Sequence, residues 1–320
     1  MLKQFDKNVT SQMKTLAFIL MLVHHMWKES VLSYLEPVAY EHILLSIGLM
    51  GKICVGIFMF LSGYGMMSSA IRGGGNMSVI KRLKKVLFPF WLVVLLVAPY
   101  LLIRGTVSWT DVVSDSLLLT RNMNGSWWFM QTYVIFVICF PLFAKSLYHA
   151  KVWIPLFIAS ILCFQPVANE IRQYSEDGHY LLFYFPLLYS GMVASKLALF
   201  DILAKKRLWF RLLLIVLLVC VRFGTGWHIL NIGLIVSMIM LLVDIQCYLS
   251  VKVKNIFYFL GKMSMNMWLI HVFFISYGFH LGDVFIDLAW VYLETLVAAY
   301  ILCFIKKWAS LRMKYIRKLI

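Results

Sequence analysis

His24 and His25 stand side by side in an apolar run near the start of the chain, and Lys14 marks the N-terminal end of that run. Ionisable groups inside a long apolar run are costly to keep there and are functional candidates by default. If the run is helical, the step from Lys14 to His25 spans roughly 16 Å, and its rotation closes about three turns plus some 20°. Lys14 and His25 then share one face, while His24 points about 80–100° away. An imidazole with a near-neutral pKa serves as a general base. A lysine at the mouth of the same face holds a phosphate-rich ligand as a point charge. The plainer reading is that one or both histidines hydrogen-bond to neighbouring helices.

Other groups invite the same two-sided reading. Lys81-Arg82-Leu83-Lys84-Lys85, followed by Pro89 and Trp91, is either a topology anchor or a phosphate-binding cluster. Ser126-Trp127-Trp128-Phe129 is either an interfacial anchor or a set of aromatic faces for sugars. His271, within Ser264-Met265-Asn266-Met267-Trp268-Leu269-Ile270-His271, is a second ionisable group deep in an apolar run, structural or part of a site. Glu294 lies mid-run without an evident partner, as a buried protonated acid or a sign that the last run is misplaced. The remaining histidines fall near run ends or loops. Ser62-Gly63-Tyr64 lacks the GxSxG pattern of a nucleophile turn, and Gly73-Gly74-Gly75 lacks the GK[ST] of a phosphate loop. The six cysteines are scattered, with no CxxC pair, and read as small buried hydrophobes. No convergent His/Asp/Glu set implies a metal.

The elements that must position these residues follow from composition. The chain is 62% hydrophobic and 14% charged, against about 45–50% and about 25% in soluble domains. It has too few polar side chains to cover a water-exposed surface, so lipid is the solvent that fits. A membrane-spanning helix takes roughly 20 apolar residues, and the 320 residues hold apolar runs at 13–33, 46–70, 83–103, 127–147, 152–169, 180–199, 208–223, 228–246, 261–280 and 285–305. The expected fold is an all-α integral membrane protein, a single domain over 1–320 formed as a bundle of about ten transmembrane helices. With the N-terminus in the cytoplasm, the inner segments collect the clusters around Lys14, Lys85, Lys145, Lys206, Lys254 and Lys307. The outer segments keep only Lys28, Arg104, Arg121, Arg172 and Arg222. This is the positive-inside bias, and it supports an even number of spans with both termini cytoplasmic. The net charge of +16 is thus a matter of topology, and no nucleic-acid partner is expected. The first run has no small-residue cleavage site and is expected to be a retained helix. The glycines between Gly48 and Gly65 are expected to let helices approach closely.

Taken in order, these segments resemble the membrane acyltransferase 3 family, which includes O-acetyltransferases of bacterial surface polysaccharides. The resemblance runs over about residues 10–305. It rests on Lys14, Ala17 and His25; on Gly56-Ile57-Phe58-Met59-Phe60-Leu61-Ser62-Gly63-Tyr64; on Arg82, Lys85 and Pro89; on Trp128-Phe129 entering a span that ends near Phe140-Pro141-Leu142; and on Gly261, Ser264 and His271. The sequence departs from the family pattern in three places. Lys14 stands where arginine is usual, Arg82-x-x-Lys85 replaces two arginines, and Met130 and Gln131 stand where many relatives carry a carboxylate.

The resemblance implies a ten-helix bundle, an acyl-coenzyme A donor entering from the cytoplasm, and an acceptor hydroxyl reached from the other side. It also implies that His25 is essential. On that footing Lys14, Arg82 and Lys85 are the expected donor-phosphate contacts, His25 the general base, and Trp127, Trp128 and His271 the acceptor contacts. The expected reaction is O-acyl transfer, most simply of acetyl, in a bacterial cytoplasmic membrane. The expected partners are acetyl-CoA or another acyl-CoA, a surface polysaccharide or its lipid-linked precursor, and membrane lipid. No permanently bound cofactor is expected. A carrier of polysaccharide or lipid-linked sugar without acyl chemistry is the alternative class, and a membrane sensor a third.

Overall fold

The structure, a computed structural model, describes residues 5–27, 41–73, 78–147, 149–203, 208–225, 230–246 and 248–319. The end of the first apolar run at 28–33, Gly74 and Gly75, Lys205 to Arg207, His228 and Cys247 lie outside them. The described residues are helical and contain no strand. The helices are α1 (Lys7–Met26), α2 (Glu41–Gly51), α3 (Ile53–Arg72), α4 (Val79–Ile103), α5 (Trp109–Ser116), α6 (Trp128–Ser146), α7 (Ala150–Leu162), α8 (Phe164–Ile171), α9 (Glu176–Lys196), α10 (Leu199–Leu203), α11 (Leu208–Thr225), α12 (Leu230–Ile245), α13 (Val251–Tyr277) and α14 (Val284–Leu319).

Each of the apolar runs read from the sequence contains helix. Among the described residues, four helical stretches are long and apolar enough to cross a membrane: Glu41–Arg72, Val79–Ile103, Gly125–Ser146 and Val284–Trp308. The helices α1, α9 and α13 fall outside this set although they are long, because they carry Lys14 and two histidines, Glu176, Asp177 and His179, and Lys252, Lys254, Lys262 and His271 respectively. Two runs are broken. The 46–70 run is interrupted at Lys52, and the 152–169 run at Cys163. Large apolar side chains such as Leu95, Ile103, Leu213 and Phe304 are exposed on α4, α11 and α14, as lipid-facing surface requires.

The chain forms two compact units, interleaved in sequence. The first takes residues 1–17, 53–79 and 132–261. Its tightest seam is between α3 and α9. A Cβ at Gly63 would lie 1.9 Å from the Leu188 carbonyl oxygen, and one at Gly191 would lie 2.0 Å from that of Phe60. Main chain therefore meets main chain, the close approach that small residues permit. In the same unit, Gly261 of α13 meets α1 equally closely, its Cβ position only 1.8 Å from the Ser11 carbonyl oxygen. Thr15 donates to the Phe257 carbonyl at 2.6 Å, and Gln12 to that of Lys254 at 3.4 Å. These bonds tie the N-terminal half of α1 to the start of α13.

The second unit takes residues 18–52, 80–131 and 262–320. Its core packs Leu22, Met26 and Trp27 with Leu44, Val284 and Val291, flanked by Phe274, Leu288 and Tyr292. The α1–α2 contact is again made by glycines. A Cβ at Gly51 would lie 2.4 Å from the Leu20 carbonyl oxygen and 3.1 Å from the His24 Cβ.

Candidate active site

The second unit brings histidines from two distant segments together. The His25 ring lies 5.1 Å from that of His271, centroid to centroid, tilted by 57°. His24 lies 5.3 Å from His25. His271 is fully buried on α13, while His24 and His25 are half-buried on α1. Both flanking rings are oriented by main chain. His24 Nδ1 is 2.8 Å from the Gly48 carbonyl oxygen, and His271 Nδ1 is 2.7 Å from that of Trp268. A carbonyl only accepts, so Nδ1 carries the hydrogen in each, and the lone pair of the neutral ring is on Nε2. The His24 bond depends on the glycine contacts just described, because only a close α2 puts a carbonyl within reach of that ring.

Aromatic side chains fix the helix that carries His271. Trp127 is buried, and its indole N–H donates to the Leu269 carbonyl at 3.2 Å. Its ring meets Phe90 of α4 at 4.9 Å and Phe273 at 5.9 Å, both edge to face. Phe129 packs on Trp268 at 5.0 Å, and Phe18 stands edge-on to His271 at 6.0 Å. Trp128 is half-buried beside Phe129.

The fold and the imidazole pair are features many membrane proteins could share; the match to a family is more specific. A family model described as an acyltransferase domain matches residues 11–308. The chain belongs to the membrane acyltransferase 3 family. No curated protein and no solved structure matches it.

This acyltransferase carries its expected donor-side cations on different elements. Lys14 is half-buried on α1, within the segment that the first unit clamps through Thr15 and Gly261. Arg82 is half-exposed and Lys85 exposed in the first turns of α4, in the second unit. Glu294 lies in the middle of α14. Its Oε1 accepts from the Trp290 indole at 3.0 Å, and its buried Oε2 has no hydrogen-bond partner. Oε2 sits against Gly278, where a Cβ would come within 2.9 Å of it. The last run is therefore in place, and the acid is a feature of it.

One structured part of the acyltransferase was not singled out in the sequence. The connection from α4 to α6 is organised around two aspartates. Asp115 is fully buried and accepts from Thr120 Oγ1, from Asn122 N at 3.1 Å and from Met123 N at 2.6 Å. Asp111 forms a capping box with Ser108 at the start of α5. Bonds from the Ser108 hydroxyl first, then the Ser108 main chain and the Asn122 amide, hold the Asp111 carboxyl below the usual carboxylate range. Gln131 of α6 donates to the Leu118 carbonyl at 2.9 Å, so this connection seats the turn that carries Trp127 and Trp128. The only sequence signal was the S-x-x-D spacing of Ser108 and Asp111, which a short polar loop between two apolar runs obscured.

Proposed function

We propose that the chain is a transmembrane O-acyltransferase that moves an acetyl group from cytoplasmic acetyl-coenzyme A to a hydroxyl of a bacterial surface polysaccharide or its lipid-linked precursor. The observation that carries this reading is the His25–His271 pair, two imidazoles 5.1 Å apart in an acyltransferase-family chain. In this reading the ten apolar runs cross the cytoplasmic membrane as one domain, with both termini in the cytoplasm.

Lys14, Arg82 and Lys85 hold the coenzyme phosphates, and the pantetheine arm carries the thioester toward His25. His25 removes the acceptor hydroxyl proton as the oxygen attacks the thioester carbonyl. The C–O bond forms, the C–S bond breaks, and the coenzyme leaves as its thiol. Trp128 offers an aromatic face to the acceptor, Trp127 seats the turn that presents it, and His271 stands on the acceptor's route. A positioned general base contributes about 10²–10⁴-fold. Orientation of the two substrates supplies much of the remainder.

The test is labelled acetyl transfer in proteoliposomes. His25→Ala is expected to fold and to lose about 10²–10⁴-fold in kcat; wild-type turnover would remove His25 as the base. Lys14→Ala is expected to raise the donor KM more than the acceptor KM, and the opposite pattern would take Lys14 out of the donor site. Passage of unmodified glycan without acetyl-CoA would make the protein a carrier instead.

A further inference from the structure

We infer that His271 is the proton store for His25: it receives, through His25, the proton removed from the acceptor and returns it to the departing thiolate. This rests on the acyl transfer proposed above and adds a second imidazole to it. Three features of the site converge on the role. First, the His271 hydrogen is committed to Nδ1 by the Trp268 carbonyl at 2.7 Å. The basic nitrogen of the neutral ring is therefore Nε2, and the Nδ1–H···O bond strengthens once the ring is charged. Second, the His271 ring adjoins that of His25 from another helix, 5.1 Å away. Third, His271 is fully buried. Burial disfavours the imidazolium form, so a proton placed there is given back rather than kept.

His24 has a similarly oriented ring, on the Gly48 carbonyl. It is only half-buried, so a charge placed on it is better solvated and more readily lost to water. The two flanking imidazoles therefore differ as stores.

The bookkeeping of atoms closes. The acceptor O–H proton passes to the unprotonated nitrogen of His25. The other His25 nitrogen passes its own hydrogen to His271 Nε2. His25 is then neutral again with its hydrogen on the opposite nitrogen, and His271 is an imidazolium. The acceptor oxygen bonds to the acyl carbon and the carbon–sulfur bond breaks. The proton returns by the same path to the thiolate. In sum, O–H and C–S break while C–O and S–H form, and no other reactant is needed. His271 touches neither reacting atom in this scheme and acts through His25.

The test uses the full chain in proteoliposomes, with acetyl-labelled acetyl-CoA and, as acceptor, de-O-acetylated surface glycan from cells lacking the protein. His271→Asn keeps an amide donor for the Trp268 carbonyl, and His271→Gln puts a non-basic acceptor near the position of Nε2. Both are expected to lower kcat by about 10²-fold or more, with donor and acceptor KM unmoved, and added imidazole is expected to restore turnover. Three results would overturn the inference: retained kcat, a raised acceptor KM with kcat intact, or a loss that imidazole rescues in neither variant. The third also covers a variant that does not fold. If wild-type protein transfers no label to the glycan, the acyl-transfer reading itself fails, which is a separate result.

Discussion

Gly63 and Gly191 show how much of this membrane protein is decided by a single hydrogen atom. Each stands where a Cβ would enter the facing main chain, at 1.9 and 2.0 Å from a carbonyl oxygen. Gly233 offers a contrast, since its Cβ position is 3.2 Å from a Leu218 methyl, the flexible end of a side chain. Gly63→Ala and Gly191→Ala are each expected to destabilise by about 1–3 kcal/mol or more. Gly233→Ala should cost less, because the leucine can yield and alanine is the better helix former. Thermal unfolding in detergent will rank the three. At the same scale, His25 and Lys14 were legible in the sequence because an ionisable side chain in an apolar run needs a reason to be there. The nearness of His271 to His25 was not legible. It depends on how α13 packs against α1, which spacing along the chain does not encode.

The helices most concerned with the site are also the ones that hydropathy ranks lowest. Both α1 and α13 were found as apolar runs, yet neither meets the length and apolarity of a membrane span, since both are loaded with lysines and histidines. The breaks at Lys52 and Cys163 were hidden for the opposite reason, because apolar residues continue on either side and nothing local marks the change of direction. The short α5 was hidden by its polarity. Its capping box makes two predictions. Ser108→Ala should destabilise by about 0.5–2 kcal/mol through the lost cap. The Asp111 carboxyl is held below its usual range by Ser108 and Asn122, so the folded state favours the charged form. The stability this gives is present above the unfolded carboxylate pKa, and it is lost as pH falls through the lower, folded value. Thermal unfolding followed down to about pH 3 should therefore show a smaller acid-side loss for Asp111→Asn than for the wild type.

Taken whole, the proposed crossing pattern assigns a side of the membrane to each connection, and that assignment is open to labelling. Thr110 and Lys151 are both exposed. With the native cysteines replaced by alanine, Thr110→Cys should react with an impermeant maleimide on intact cells, and Lys151→Cys only after the cells are opened. Reversed labelling would invert the orientation. The all-helical class followed from composition alone, because lipid leaves the backbone few ways to satisfy its polar groups. The division into two compact units did not, since each gathers three separated stretches of chain. Finally, the seam of α3 and α9 has a mechanical side. Two main chains touching with no side chain between them leave no compressible padding, so the pair tilts as one stiff plank. A thicker or thinner bilayer must be met by tilt, bending or stretching somewhere. Within the first unit that strain falls on jointed members such as α7 and α8, which hinge at Cys163.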